Sequence, residues 1–591
     1  MRIGYIDSSN SSPASTNTSG SVTTTHTTNS PSPQELSSWA RLVTEHAFQP
    51  GGSSVPSVTA TAPSSTFGSS PNPAFDPNAP ADANSSNGHV AANGLLRLEQ
   101  SGLGYTPQAE AQIMAQALDQ HKNDPQFLQQ YLSTLGSSRV ASNFSYLSSV
   151  SNIQTPYNYS TGAASPQLLK QQYQDMAGAL STLVKHNDFG QSDMNQFVAQ
   201  FAKTNPQVNF FAKNVLSSAS PQVNQMFFES AKNYALQHSG TSAGQSMAAY
   251  AMQALSQTSN PLSELESLPD HQLSPLVKAA MEGETAYGNP PSIDAFAKTG
   301  IFRSESGQGA PLNGLTNLMF DAAYADAGDG FSPAPLSTSQ AQHLQTRLFQ
   351  AAVGTLQSDS PVKAFYSQSI PMKDALSAEF QQGYDSIVKG YSGPDGELSS
   401  TGITAFREFF ADAVFTPPPS SYALGAVQTI QDRLTSYISR ANQSPSSAQP
   451  SQQEAAYAES LGEQAQAMAG GLNEAFTSIL NGASQNNQST QTLLDGLISV
   501  GGAVVGAAGG PAGGVGSAIV GEALTLLVNS NSGSGPSDVQ AAVSELKTHG
   551  ININGYDPGA FYDLSTNIMN NSFRAPFQTG LNSASAVLYN T

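Results

Sequence analysis

The chain has 591 residues, of which only 11% are charged, against about a quarter in an ordinary globular protein. With 22 Lys+Arg against 42 Asp+Glu the formal charge is −20, and such sparse cations argue against nucleic-acid partners and against electrostatic docking on anionic lipid. There is no cysteine, which excludes disulfides, thiolate metal sites and cysteine nucleophiles.

Residues 1–95 are expected to form a disordered arm. Ser8–Ser30 is mostly Ser, Thr and Asn, and Pro50–Asn93 is rich in Pro, Ser, Ala and Asn, so neither buries enough apolar area to offset ordering entropy. Met1–Asp7 carries no apolar core of a signal peptide, so export is expected to proceed without a cleaved one. One island interrupts the arm near residues 33–48. Ser32-Pro33-Gln34-Glu35 is a capping box with proline at the first helical position, and Leu36, Ala40, Val43 and Ala47 then share a face, flanked by Trp39 and Phe48. Leu36, Trp39, Val43 and Phe48 make this a candidate docking helix for a chaperone or a secretion apparatus. Packing on the protein's own body is the alternative.

From residue 96 to 441 the punctuation predicts an α-helical body. A cap residue followed by proline recurs at Thr106-Pro107, Asp124-Pro125, Ser165-Pro166, Asn205-Pro206, Ser220-Pro221, Asn260-Pro261, Ser274-Pro275 and Ser360-Pro361. In each pair the first residue accepts a backbone N–H and the proline stands where no N–H is needed. Phe127, Leu128, Tyr131, Leu132 and Leu135 follow Asp124 at helical spacing and stop at Gly136, and Val223, Phe227, Phe228 and Ala231 follow Ser220. No alternating β-branched run is long enough for a sheet, short strands near Ile551–Ile553 excepted.

Catalytic signals are weak. Gly240-Thr-Ser242-Ala-Gly244 fits the nucleophile-elbow pattern, but that elbow needs a preceding strand and Ala231–Gln237 reads as helix. The histidines are dispersed, and the acidic loops Asp326–Gly330 and Pro394–Glu397 lack the ligand spacing of a calcium loop and read as turns. No enzyme activity, cofactor or metal is expected.

A polar linker, 442–453, precedes a C-terminal helical unit, 454–591, with helices expected near Glu454–Met468 and Leu472–Leu480. Within the unit, Gly496–Gly521 carries no charge and places glycine at every fourth residue: Gly502, Gly506, Gly510 and Gly514. Gly509, Gly513, Ser517 and Gly521 form a second row. Small residues at this spacing let two helix backbones approach closely. With a turn at Gly509-Gly510-Pro511, the legs of an apolar hairpin over 493–528 are about 23 Å long, short of the ~30 Å hydrocarbon core. Insertion into one leaflet and burial in the core of the unit both fit.

The phrases His121–Phe127, with Asn123-Asp124-Pro125, and Tyr131–Gly136, followed by Ser220–Phe228 and the apolar Leu493–Val528, resemble the helical delivery regions of bacterial polymorphic toxins. No compact toxin domain is expected in the residues that follow the apolar segment. In composition the chain also resembles type III translocon and harpin-like proteins of plant-associated bacteria, which are cysteine-free, acidic and Ser/Gly/Gln-rich. These resemblances imply a secreted, non-enzymatic protein in a delivery, translocator or effector-type role at a target-cell surface or membrane. Its partners would be a secretion apparatus or chaperone and then a target membrane or a host or competitor protein, with oligomerisation open. The alternative is a soluble scaffold whose hairpin is core. The expected fold is mostly α: a disordered arm, an elongated multi-helix body and a C-terminal helical unit carrying the hairpin.

Overall fold

In the computed structural model the described residues are 82–100, 107–142, 166–186, 189–203, 215–287, 314–325, 336–367, 369–416, 421–486 and 564–589. All belong to one unit, 68–154 with 164–591; the other, 1–67 with 155–163, lies outside the described residues. So do the expected docking helix with Leu36, Trp39, Val43 and Phe48, and the hairpin with its two glycine rows.

The fold is mostly helical, and the cap-proline grammar sets many of its starts. The N-terminal helices are α1 (Gly88–Gln100), α2 (Pro107–Gln120), α3 (Pro125–Leu135), α4 (Pro166–Lys185) and α5 (Gln191–Lys203). Asp124 accepts the Phe127 N–H at 3.0 Å to open α3, and Gly136 caps its end. Next come α6 (Pro221–Gln237), α7 (Ser242–Leu255), α8 (Pro261–Ser267), α9 (Asp270–Tyr287) and α10 (Gly314–Ala323). Helix α7 packs between α6 and α9, so Met247–Met252 is buried all round. The third stretch runs α11 (Thr338–Ser358), α12 (Ser360–Tyr366), α13 (Ile370–Gln382), α14 (Tyr384–Tyr391) and α15 (Ser400–Glu408). Helix α15 continues directly into a π-helix, Phe409–Phe415. The chain then forms α16 (Ser421–Gln443), α17 (Gln452–Asn486) and α18 (Asn571–Tyr589). Among the described residues the β structure is one isolated bridge, Ser392 with Leu398; Ile551–Ile553 lies outside them.

Several details differ from expectation. The helical body starts earlier than residue 96, because Ala91, Ala92, Leu95 and Leu98 give α1 an apolar face that α3 covers. Ser274-Pro275 is internal to α9: the N–H groups of Gln272 and Leu273 bond the Pro269 carbonyl, starting the helix one turn sooner. Pro275 forgoes one bond in a helix that buries Leu273, Leu276, Val277 and Ala280. At Ser360-Pro361 the cap is Asp359, whose carboxylate accepts the Val362 N–H at 3.0 Å. The two helices expected over 454–480 are the single α17, since Gly470-Gly471 serves close packing instead of a stop. A Cβ at Gly471 would strike the Arg407 carbonyl and Phe410. Only 444–451 separates α16 from α17, and the C-terminal helices share the body's core, with the Tyr437 hydroxyl donating to the Phe573 carbonyl at 2.6 Å.

Helices α17 and α18 run in the same direction. Gly462 lies against Phe577 and Leu581, and Gly470 against Leu588, so position advances together on both. The closest approach is at Gly580, where a Cβ would collide with the Glu459 carbonyl.

Candidate functional site

The π-helix organises a buried charge network. Its wider turn shows in the Thr416 N–H, which bonds the carbonyl of Ala411, five residues back, at 3.0 Å. Such turns are rare and concentrate at functional positions. Here the turn spreads Phe409 and Phe410 around Phe380, with ring centroids 4.8 and 5.7 Å away, and directs Asp412 inward.

Lys363 of α12 is the hub. Its Nζ lies 2.6 Å from Glu408 Oε2 and 2.7 Å from Glu474 Oε1, with Asp412 Oδ2 at 3.4 Å. Arg407 adds a second cation, 2.8 Å from Glu408 and 3.5 Å from Glu474. One lysine thereby ties α12, α15, the π-helix and α17 together. Burial pulls the Lys363 ammonium down, but Asp412, Glu408 and Glu474 more than reverse this, so it stays charged far above neutrality. Burial raises Glu408, but Lys363 and Arg407 outweigh it and leave that carboxyl below its usual range.

Asp412 behaves differently. Burial pushes it up to about 7, against the pull of Lys363 and with the charges of Glu408 and Glu474 adding to the rise. The neighbouring amine of Lys373, fully buried on α13, is brought down to about 7 by burial, against Asp412 and Asp374. It donates to the Thr416 carbonyl at 2.6 Å, at the end of the π-helix. An acid and an amine that both exchange protons near neutrality thus meet at the π-turn. Three residues further along α12, Tyr366 donates to Glu284 Oε2 at 2.6 Å, and burial pushes Glu284 up to about 8. Glu379 of α13 is fully buried, neither of its carboxylate oxygens has a hydrogen-bond partner, and burial holds it well above its usual range.

The motifs weighed in the sequence fall elsewhere. Ser242 is the first residue of α7, capped by Thr241, and follows helix α6 across a short turn. That is a helix-to-helix connection, without the strand a nucleophile elbow requires. Asp326–Gly330 lies outside the described residues. Pro394–Glu397 is a tight turn in which Gly396 adopts φ +92° and the Gly393 N–H bonds the Glu397 carbonyl at 2.7 Å. Placing Gly396 sixth in a calcium loop puts Tyr391 first and Gly402 twelfth, where such a loop carries carboxylates. Among the described residues no group of three His, Cys, Asp or Glu is placed to hold a metal ion. A half-open cleft of about 320 Å³ between α3, α4 and α5 is lined by Gln129, Leu132, Leu183, Asp193 and Gln196. The Asp193 carboxylate there already accepts the Gly190 N–H at 3.0 Å.

Sequence reasoning missed the Lys363 network. Its one visible signal was Arg407, Glu408 and Asp412 embedded in the apolar run Ala405–Phe415 of a chain poor in charge. No protein-family model matches the chain, and no curated protein is significantly similar to it.

Proposed function

We propose that the chain is a secreted, non-enzymatic bacterial protein whose helical body presents an apolar segment to a target-cell surface or membrane. One observation carries this reading. The segment that contains the uncharged stretch Gly496–Gly521 is joined at both ends to helices that clasp each other through Gly462 and Gly580. A body that anchors both ends of a charge-free glycine-rich stretch suits delivery. The lack of cysteine and the scarcity of cations fit export and exclude simple charge-driven adsorption.

Dye release from phosphatidylcholine vesicles tests it with the full chain. Wild-type protein releases dye at neutral or mildly acidic pH, and Val505→Asp abolishes release, since Asp at a bilayer centre costs about 3 kcal/mol. Release by neither protein at either pH overturns the membrane role.

A second reading, a scaffold with a buried hairpin, is favoured by the leg length of about 23 Å expected from the sequence. Among the described residues no helix is long and apolar enough to cross a membrane. Under this reading Gly506→Leu lowers the melting temperature by overpacking; under the first it leaves the melt unchanged and alters leakage.

A further inference from the structure

The cleft of about 320 Å³ between α3, α4 and α5 opens where the chain breaks its helix. Helix α3 stops at Leu135, Gly136 takes φ +78°, and helix resumes over 137–142. The notch left at that break is lined from the other side by Leu183 of α4, by Phe189 and by the first turns of α5. Its apolar wall is Leu132, Val140, Leu183 and Phe189, all buried. No member of the Lys363 network lines it.

The polar rim is held in place by the protein itself. Ser137 Oγ donates to Gln196 Oε1 at 3.3 Å, which turns the amide so that both Nε2 hydrogens are unspent. The Gly190 N–H donates to Asp193 Oδ2 at 3.0 Å, and among the described residues Oδ1 has no hydrogen bond. Ser133 Oγ donates to the Gln130 carbonyl at 3.2 Å, so its oxygen remains an acceptor, and the Ser138 hydroxyl stands beside it on the rim. A donor amide, an acceptor carboxylate and two hydroxyls thus surround an apolar wall. Groups fixed beforehand spare a ligand the entropy of arranging them.

This lining selects by chemistry. None of the lining residues is cationic, so nothing there holds a phosphate or a carboxylate. The one charged group, Asp193, has an oxygen to spare for an ammonium, and the net charge of −20 favours a cation at longer range. The several neutral polar groups ask for hydroxyls. The apolar wall asks for a C–H face, and the volume lies at the small end of ligand sites. We propose that the cleft binds an amino sugar. The ammonium meets Asp193 Oδ1, the ring hydroxyls meet Gln196 Nε2 and the Ser133 and Ser138 hydroxyls, and the C–H face lies on Leu132 and Phe189. The inference stands apart from the proposed membrane role, because a soluble sugar reads the cleft with no vesicle present.

Saturation-transfer NMR and calorimetric titration of the full chain test this with glucosamine, glucose and butylamine at about pH 6, where the amines are charged. Glucosamine receives saturation from the protein and binds with a Kd on the order of 1 mM, the range for one small ring. Glucose, which lacks the ammonium, and butylamine, which lacks the hydroxyls, each bind about tenfold more weakly or worse. Asp193→Asn removes the charge but keeps an acceptor for the Gly190 N–H. It and Gln196→Ala each weaken glucosamine about tenfold, with the thermal melt unchanged. Should Asp193→Asn lower the melt, the exposed Gln196→Ala decides alone. Absence of saturation transfer to glucosamine at about 20 mM overturns the proposal. So does glucosamine binding that survives both variants undiminished, or butylamine or glucose binding as tightly as glucosamine.

Discussion

Lys363 is the single side chain that holds the cluster of Glu408, Asp412 and Glu474 together. It faces Glu408, Glu474 and Asp412, and the two nearest carboxylates lie within 2.7 Å. Lys363→Met leaves Glu408 and Glu474 with Arg407 as counter-ion, and Asp412 beside the buried amine of Lys373, in a half-buried site. Removing one partner of a buried pair costs about 3–5 kcal/mol, mostly the desolvation of the charge left behind. Urea denaturation of the variant should show a loss of about 3 kcal/mol. A loss under about 1 kcal/mol would mean that water already screens the network. Beyond the charges Arg407, Glu408 and Asp412 within the apolar run Ala405–Phe415, no pattern in the sequence announced this site, because its members come from four helices and meet only when α12 packs under the π-helix. Asp124 is the opposite case: its role as the cap of α3 needs only the proline after it and the apolar spacing beyond.

At the scale of elements, glycine has two meanings that local sequence does not separate. Gly178, inside α4, has nothing within 4 Å of the position a Cβ would take. Gly178→Ala should raise stability by up to about 1 kcal/mol through helix propensity. Gly580, inside α18, faces the Glu459 carbonyl at a distance no Cβ tolerates. Gly580→Leu should cost about 1–3 kcal/mol or more and release α18 to proteolysis. Thermal melts of the two variants should move in opposite directions, and a harmless Gly580→Leu would refute the clasp. The expectation that glycines bring helices into close contact was placed on Gly502, Gly506, Gly510 and Gly514, outside the described residues. Among the described residues, close contacts of that kind include Gly88 on α3, Gly283 and Gly314 on α7, and Gly462, Gly471 and Gly580 at the C-terminal helices.

For the whole molecule, the buried acids set the pH dependence. Glu284, Asp412 and Glu463 are raised to about 8, 7 and 7, and Glu379 rises well above its usual range. Each folded pKa exceeds the unfolded value, so the folded chain binds protons that the unfolded chain lacks between about pH 4.5 and 7. Their contribution is fully present below about pH 4 and is lost as pH rises through the folded values. Glu408 works the other way, since its depressed pKa means that stability is lost as pH falls through it. Lys373, lowered to about 7 by burial, regains stability between about 7 and 10.5 and partly offsets Glu284 there. Thermal melts should therefore peak near about pH 5 and fall toward pH 8. Glu284→Gln keeps an acceptor for the Tyr366 hydroxyl and should reduce the fall. A melting temperature that rises steadily from pH 5 to 8 would contradict the burial of these groups.

The sequence by itself determined the class of fold and many of the helix starts. Those depend on the spacing of apolar residues and on the pairing of a cap with proline, which act within one or two turns of chain. It also determined the scarcity of charge, which makes any buried ion cluster conspicuous once found. The tertiary structure decided which charges share a cavity, which glycines lie at a helix crossing, and which carboxyls are buried far enough to hold protons near neutrality. Ser274-Pro275 and Gly470-Gly471 show the reason most directly. Each has the local chemistry of a boundary, yet each lies inside a helix because burial of residues far apart in sequence outweighs a local preference of about 1 to 3 kcal/mol.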